Sequence, residues 1–356
     1  MPQAKKLLIL SCSTGMGHWR AGEALRLHCA NLYPGIQVSH IDIAKYFNIF
    51  AYLYIVFGYN FFSKIFPFAY KILYYQTDNA FTKKFFGLVG PALALSSRRL
   101  FAYIKEYQPD AIISTHFLPH IIFPRAFSIP HYTVITDYHA HAVWLSTKTS
   151  GTFVATEEIK EHLHKNNIES IVSGIPIAPE FFAKKDVVII KNKLGITNNW
   201  PTILIMPLFT RYKKIEDIIA QIRLLKKEIN IFVLPGKNTS LLKHIGKLEK
   251  YNVLTPTAHT PIDELMRCAD IIISKAGGLT ISEVICLQKP LIIADSVPGQ
   301  EEDNTVYLEK NGYALHATSA IDVTKKIQMI LNNPSCIQKK SYPESGKIIL
   351  DSIFKN

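Results

Sequence analysis

The chain has 356 residues, of which 48% are hydrophobic and 19% are charged, with 17 Gly and 19 Pro. This composition excludes disordered, collagen-like and low-complexity proteins. A single hydrophobic core rarely supports a chain of this length, so the length predicts two domains of about 150 to 180 residues. The formal net charge of +12 favours an anionic partner, such as a membrane surface, nucleotide phosphates or a nucleic acid.

The five cysteines form no C-x-x-C pair and have no nearby histidine at ligand spacing. This usage is typical of a reduced, cytosolic protein without structural zinc. The apolar run after Lys5 and Lys6 is short and passes into a glycine-rich loop. We therefore predict a buried strand at this position and no export signal.

Short apolar runs alternate with helical stretches along the chain, which predicts an α/β fold with two Rossmann-like, doubly wound sheets. A glycine and two prolines in residues 174–180 suit a connection between domains. We expect an N-terminal domain at 1–180, a C-terminal domain at 181–335, and a tail at 336–356 that can cross back to the N-terminal domain. The predicted strands are 7–11, 38–43, 111–114, 132–136, 152–155, 202–206, 231–234, 271–274 and 290–294.

The segment 46–103 holds 19 of the 37 Phe and Tyr residues of the chain, six Lys or Arg, and a single acid, Asp78. Aromatic, apolar and cationic character together indicate a surface that enters a membrane interface. Two alternatives remain at this point: a membrane-spanning helix over 46–63, and ordinary buried helices. The candidate membrane residues are Phe61, Phe62, Lys64, Lys83 and Lys84.

The first chemical motif follows the first predicted strand and opens a helix. Gly15 and Gly17 let a ligand approach the backbone, and the first N–H groups of a helix favour an anion or a hydroxyl group. Arg20 stands where a dinucleotide fingerprint has its third glycine, so we do not expect NAD binding although Asp42 follows the second strand. We expect His18 to be neutral and able to take a proton, with a structural helix-cap histidine as the alternative.

The second motif ends a strand in Gly277 and Gly278, with a helix expected from Thr280. This arrangement predicts a phosphate or diphosphate site at the helix N-terminus, with Lys275 nearby. Glu283 lies one turn further along. Its carboxylate can accept hydrogen bonds from a ribose, or it can complete a Thr-x-x-Glu capping box with Thr280.

The third motif is a run of polar and acidic residues after the strand 290–294. Loops at the carboxyl ends of strands bind ligands in this fold, so the five polar or acidic residues 300–304 are candidates for binding sugar hydroxyls. The alternative is that Asp303 or Asn304 is a simple helix N-cap. A divalent metal is not expected, because adjacent side chains on one turn rarely converge on an ion.

Together these motifs resemble one family, the monogalactosyldiacylglycerol synthases and bacterial processive diacylglycerol glucosyltransferases. The resemblance lies in residues 15–21, 274–283 and 297–304, and extends to 136–144 and the linker 174–177. It implies a GT-B fold, with two Rossmann-like domains facing a central cleft. It also implies an inverting transferase that moves a hexose from UDP-glucose or UDP-galactose to a membrane lipid, with diacylglycerol as the acceptor. No metal and no cofactor besides the UDP-sugar substrate are implied.

The resemblance also implies roles for residues in this chain. His18 is the base for the acceptor hydroxyl, with Asp137 as the other candidate. Glu283 binds the ribose, and Gln300, Glu301 and Asn304 bind the transferred sugar. The remaining residues on the donor side are Lys275, Gly277, Gly278, Leu279 and Thr280, and those on the acceptor side are Gly15, Gly17, His141 and Trp144.

One feature departs from this family. Pro207 follows the first strand of the second domain, where the family has a glycine-rich turn, and Arg211 and Lys213 could replace backbone donors with cationic ones. Two alternatives are therefore kept: a UDP-sugar enzyme with a soluble acceptor or epimerase activity, and a catalytically silent GT-B protein. Nucleic acid is not an expected partner, because the basic residues form no long run. We expect a peripheral protein on the cytoplasmic face of an anionic membrane.

Overall fold

The computed structural model describes residues 5–355 except 14, 54–57, 59–60, 62–64, 80–89, 91–92, 124–127, 146–148, 209–211, 226, 235–252 and 255–259. The chain forms two compact units. The first consists of Met1–Pro179, Pro298–Gln300 and Pro343–Asn356, and the second consists of Glu180–Val297 and Glu301–Tyr342.

The first unit is built on a parallel sheet with the strand order β2-β1-β3-β4-β5-β6. Leu7 pairs with Val38 on one side and with Ala111 on the other, so β1 is a central strand. Leu7, Leu8, Ile9 and Leu10 are all fully buried, as expected for a parallel strand covered on both faces. The strands are β1 Lys6–Ser11, β2 Gln37–Asp42, β3 Ala111–Ser114, β4 His131–Val134, β5 Gly151–Val154 and β6 Ile171–Val172.

Helices connect these strands, as parallel pairing requires. Thr156 begins one of them by accepting a hydrogen bond from the Ile159 N–H at 3.3 Å, a standard N-cap. The described helices are α1 Met16–Leu32, α2 Ile49–Tyr52, α3 Pro67–Thr77, α4 Arg98–Tyr107, α5 Leu118–Ile122 and α6 Glu157–His164. This part of the chain also contains two short 3₁₀ helices, Ile43–Tyr46 and Ala142–Leu145.

The second unit repeats the architecture with the strand order β12-β11-β10-β7-β8-β9, again all parallel. Its core is rich in isoleucine from both the sheet and the helices. The strands are β7 Thr202–Ile205, β8 Asn230–Val233, β9 Val253–Leu254, β10 Ile271–Lys275, β11 Leu291–Asp295 and β12 Leu315–His316. The helices are α7 Val187–Lys193, α8 Tyr212–Leu224, α9 Ile262–Cys268, α10 Gly278–Cys286, α11 Gln300–Lys310 and α12 Ala320–Asn332.

The last helix, α13 Ser345–Phe354, belongs to the first unit. Ile349 and Leu350 are fully buried in the same core cluster as Leu7 and Leu25. Gly346 lies against the ring of His28 so closely that a Cβ would overlap it. A glycine at this point therefore allows α13 to pack tightly in the first unit.

All nine predicted strands are present, and each end lies within two residues of its predicted position. The prediction missed β6, β9 and β12, which have two residues each. Runs this short show neither alternation nor an apolar stretch, so their pairing depends on the neighbouring strand.

The described parts of the segment 46–103 do not form ordinary buried helices throughout. No residue of α3 is buried, and Phe68 has 75% of its surface exposed. Phe61 is also exposed. Among the residues that the structure describes, no helix is long and apolar enough to cross a membrane. The predictions for Phe62, Lys64, Lys83 and Lys84 lie outside the described residues.

Candidate active site

His18 lies in the first turn of α1, directly after the carboxyl end of β1. Its Nδ1 atom is 2.8 Å from the carbonyl oxygen of Thr115 and 2.8 Å from the hydroxyl oxygen of Thr136. A carbonyl oxygen can only accept a hydrogen bond, so Nδ1 carries the hydrogen. In the neutral ring Nε2 is then the unprotonated nitrogen, which can accept a proton.

The surroundings of His18 keep the ring neutral. Burial lowers the pKa of His18 to about 4, and the hydrogen bond to the Thr115 carbonyl opposes only part of this effect. The ring of His116 stands edge-on to the His18 ring at 4.7 Å between centroids. At neutral pH, His18 is therefore available as a base.

Hydrogen bonds among buried polar side chains hold the backbone of His18 in place. The Thr115 hydroxyl donates to the His18 carbonyl at 2.9 Å, so Thr115 holds this residue at two points. The Ser11 hydroxyl lies 2.7 Å from that of Thr115 and 2.8 Å from Nε2 of His40. A Cβ at Gly22 would overlap both Ser11 and His40, so this network requires glycine there.

The two loop glycines have a different role from Gly22. Gly15 and Gly17 are exposed, and a Cβ at either position would meet no atom within 4 Å. The fold itself does not require glycine there, and the space in front of the backbone is open. This is compatible with the predicted close approach of a ligand.

The other predicted acceptor-side residues lie in the loop after β4. Asp137 is half-buried and directly follows Thr136. His141 is buried, and both its nitrogens bond within the chain: Nε2 to the Tyr74 carbonyl at 3.0 Å, and Nδ1 to the Val143 N–H at 3.1 Å. These bonds favour a structural role for His141.

Trp144 is buried as well. Its ring packs edge-on to Phe117 and His120, at 6.0 and 6.2 Å between centroids. Asp42, the residue that could have mimicked a dinucleotide ribose ligand, accepts hydrogen bonds from the N–H groups of Ala44 and Ser13. Its carboxylate therefore supports the start of the 3₁₀ helix that follows β2.

On the donor side, β10 leads through Gly277 into α10, which begins at Gly278. The expected start at Thr280 is wrong, because the Gly277 carbonyl already accepts the hydrogen bond of Ile281 at 3.0 Å. Thr280 is thus the third helical residue, and the Thr-x-x-Glu capping box does not form. The N-cap residue is Gly277, which has no side chain to cap the helix, and such a helix start suits an anionic ligand.

The helix in the third motif also begins earlier than it would if Asp303 or Asn304 were its N-cap. Gln300 is the first residue of α11, so Asp303 and Asn304 lie inside the helix and are not N-caps. The Asn304 amide is buried and donates to the Ala276 carbonyl at 3.0 Å. Asn304 thereby connects the third motif to the second.

Lys275 and Glu301 form a second connection between these two motifs. Their side chains make an ion pair, and the other carboxylate oxygen of Glu301 accepts the Val297 N–H at 2.9 Å. Glu301 and Glu283 are both buried, while Lys275 and Thr280 are half-buried. Leu279, also predicted on the donor side, is buried in the first turn of α10.

Within the described ranges, no three or more His, Cys, Asp or Glu side chains are grouped as metal ligands would be. The turn after β7 that contains Pro207 is described only in part, because residues 209–211 are not among the described ones. The proposed roles of Arg211 and Lys213 therefore stay predictions.

Sequence reasoning missed Thr115 and Thr136, the two residues that hold the His18 ring. Thr115 follows the carboxyl end of β3, which is the neighbour of β1, and Thr136 follows that of β4, the next strand in the sheet. Because the carboxyl ends of parallel strands lie at one edge, polar residues just after β3 and β4 were a signal that could have found them.

Two parallel-sheet α/β units, each with a glycine-containing loop or turn that leads from a strand into a helix, correspond to the GT-B fold of glycosyltransferases. The solved structure of MurG from Acinetobacter baumannii shares this fold, with a TM-score of 0.64 over 99% of this chain and 100% of that one, at 15% identity. At this level of identity the likeness concerns the fold alone.

Sequence comparisons give the family. The monogalactosyldiacylglycerol (MGDG) synthase profile matches residues 18–177, and the glycosyltransferase family 28 C-terminal domain profile matches 212–344. The processive diacylglycerol beta-glucosyltransferase of Bacillus pumilus is 30% identical over 92% of this chain and 87% of its own length. The Bacillus subtilis enzyme of that name is 28% identical over 99% and 95%. The chain belongs to the family of monogalactosyldiacylglycerol synthases and processive diacylglycerol glucosyltransferases, and it is a hexosyltransferase.

Proposed function

We propose that this enzyme transfers glucose from UDP-glucose to the free hydroxyl of diacylglycerol, with inversion at the anomeric carbon. The observation that carries the proposal is the fixed tautomer of His18, which presents Nε2 as a base in a chain of this family. The names of the curated relatives support glucose, diacylglycerol and a β-linked product.

The chemistry is a single displacement at the anomeric carbon. The acceptor oxygen forms a bond to this carbon as the bond to the UDP oxygen breaks, and UDP leaves with the electron pair. His18 Nε2 takes the hydroxyl proton, while Nδ1–H stays bonded to the Thr115 carbonyl. Asp137, adjacent to Thr136, is the second candidate for this proton.

Residues at the starts of α10 and α11 would hold the donor. The N–H groups at the start of α10 suit the diphosphate, since the helix end carries partial positive charge. They would stabilise the leaving UDP electrostatically, a task that a metal performs in other transferases. Glu283 would bind the ribose, and Gln300 and Glu301 the glucose.

The first unit would hold the lipid at a membrane surface. In α3, Phe68, Ile72 and Tyr75 follow each other at helical spacing and are all exposed, which forms an apolar stripe. Arg98 and Arg99 of α4 are exposed and add positive charge. An apolar stripe with basic residues supports peripheral attachment to an anionic membrane, which we place on the cytoplasmic side.

The test is a thin-layer assay of the purified protein with radiolabelled UDP-glucose or UDP-galactose, each with diacylglycerol in anionic vesicles. We expect labelled lipid with UDP-glucose. Labelled lipid with UDP-galactose alone would change the donor and keep the class. No labelled lipid from folded protein with either donor would refute the proposed function.

A further inference from the structure

Asp78 is the single acidic residue of the segment 46–103, and it stands directly at the end of α3. Its carboxylate accepts the Ala142 N–H at 2.7 Å with one oxygen. The other oxygen lies 3.1 Å from Nε2 of His139, and because a carboxylate only accepts, this nitrogen donates. Asp78 thus bonds twice to the loop that follows β4.

A third bond fastens the same helix end to the same loop. His141 donates from Nε2 to the Tyr74 carbonyl, and its ring lies 4.5 Å from the Tyr74 ring. Tyr70, Tyr74 and Thr77 follow each other at helical spacing and are half-buried, whereas the stripe of Phe68 faces solvent. The two faces of α3 are therefore distinct: one is held by the loop and one is exposed.

The loop that Asp78 and His141 hold against α3 also contacts His18, the candidate base, at its first residue. Thr136, its first polar residue, lies 2.8 Å from Nδ1 of His18, and Asp137 follows. Contacts therefore run without a break from the helix that carries the exposed apolar stripe to the group that takes the proton. Burial raises the pKa of Asp78, but hydrogen bonds from His139 and Ala142 bring it below its ordinary value.

We propose that Asp78 is a positioning residue, which fixes the loop 136–145 to α3 so that a lipid acceptor held at the membrane surface meets His18 in register. This role rests on the proposed function, since it assumes a membrane-held acceptor. Asp78, the single acid of this basic and aromatic segment, would thus have a role other than membrane attachment. An acid is unfavourable at an anionic surface, which fits a residue turned toward the loop.

Two variants separate the two bonds of Asp78. Asp78→Asn keeps an oxygen that can accept the Ala142 N–H but loses the charge that faces His139, whereas Asp78→Ala loses both. Glu106→Gln is the matched control, because Glu106 is exposed on α4 and its change removes the same charge. For each variant, initial rates are measured in anionic vesicles with varied diacylglycerol and UDP-glucose, along with UDP binding and sedimentation with vesicles.

For Asp78→Ala we expect kcat to fall by roughly 10- to 100-fold, since small misplacements of reacting groups have effects of this size. Asp78→Asn should lie between this variant and the wild type. The KM for UDP-glucose, UDP binding and sedimentation should be unchanged, and Glu106→Gln should match the wild type. An unchanged kcat in Asp78→Ala, or activity lost in proportion to vesicle binding, would overturn the proposal.

A second measurement tests the proposal if a variant fails to fold or if the wild type has no transferase activity. Hydrogen exchange of the Ala142 amide, compared between the wild type and folded Asp78→Ala, needs no turnover. If Asp78→Ala does not fold, Asp78→Asn with a wild-type kcat overturns the role, and a reduced kcat with intact UDP binding supports it. If the wild type makes no product, the proposed function fails, and faster Ala142 exchange in Asp78→Ala still supports the fastening, whereas unchanged exchange overturns it.

Discussion

Thr115 uses two of its polar groups on His18: the carbonyl fixes the ring tautomer and the hydroxyl holds the backbone. The imidazole therefore needs no carboxylate partner to present Nε2 as a base. This has two consequences that can be measured on the residue itself.

Replacing His18 by alanine should lower kcat by roughly 10²- to 10⁴-fold, because proton transfer by a positioned base contributes this much. UDP binding should be nearly unchanged, since the donor residues lie in other parts of the chain. Steady-state rates and calorimetry test both statements, with His164→Ala as a control on an exposed histidine of α6. Turnover equal to that of the wild type would transfer the role of base to Asp137.

The low pKa of His18 also determines how turnover depends on pH. Because burial lowers the pKa of His18 to about 4, the base is already neutral at pH 6. We expect kcat/KM to stay level from pH 8 down to about 5, wherever circular dichroism shows that the fold is intact. A fall centred near the ordinary histidine pKa of about 6.5 would contradict the environment described for this ring.

At the scale of elements, the ion pair of Lys275 and Glu301 joins the end of β10 to the first turn of α11. Lys275→Met leaves the buried Glu301 carboxylate without its cation, and we expect the free energy of unfolding to fall by about 1 to 2 kcal/mol. This is less than the loss for a fully buried ion pair, because the Lys275 side chain is partly exposed. Denaturant titration measures this change.

The double variant Lys275→Met, Glu301→Gln removes the unpaired charge and should recover part of that loss. Stability that is no higher in the double variant than in Lys275→Met would show that the two residues do not interact. UDP-glucose binding should weaken in both, because Lys275 lies at the predicted diphosphate site and holds Glu301, the proposed ligand of the sugar.

The exposed stripe of α3 gives another prediction at this scale. Phe68→Ser should weaken binding to anionic vesicles, measured by sedimentation, by roughly 10- to 100-fold, since inserting a phenylalanine contributes about 1.5 to 3 kcal/mol. Stability in solution should change little, because 75% of the Phe68 surface is exposed. Met329→Ser, at a half-exposed residue of α12, is the matched control. Equal sedimentation of both variants would remove α3 from the membrane contact.

At the scale of the whole molecule, the first unit concentrates histidines that burial keeps neutral. Burial lowers the pKa of His18 to about 4 and of His120 to about 3, and lowers those of His116 and His131 well below the ordinary value. Their rings are in contact: His120 stacks on His131 at 4.7 Å between centroids.

These groups bind protons in the unfolded chain near pH 6.5 but not in the folded one, so the stability they allow is present above that pH and is lost as the pH falls toward 4. Each unit of pKa difference corresponds to about 1.4 kcal/mol. We expect the melting temperature to decline steadily from pH 7 to pH 5. His131→Asn, which removes one of these groups, should flatten that decline, and an identical slope would contradict the linkage.

The order of strands, helices and loops was predictable because buried parallel strands appear in the sequence as continuous apolar runs such as 7–10. The glycine-led motifs predicted where ligands would bind. Helix starts were less predictable: α10 and α11 begin before the residues with good capping side chains, because backbone carbonyls such as that of Gly277 already close the first turn. The tautomer of His18 was beyond prediction, since it depends on Thr115, about 100 residues away in sequence.

Helix α13 also bears on how the chain folds as it is synthesised. Residues 345–354 complete the hydrophobic core around Leu7 and Leu25, yet they follow the entire second unit in the sequence. On the ribosome, the second unit can therefore close before the first is complete. Until α13 emerges, the apolar surface beside Leu25 stays uncovered, so the first unit is the part of a nascent chain that most needs protection by a chaperone.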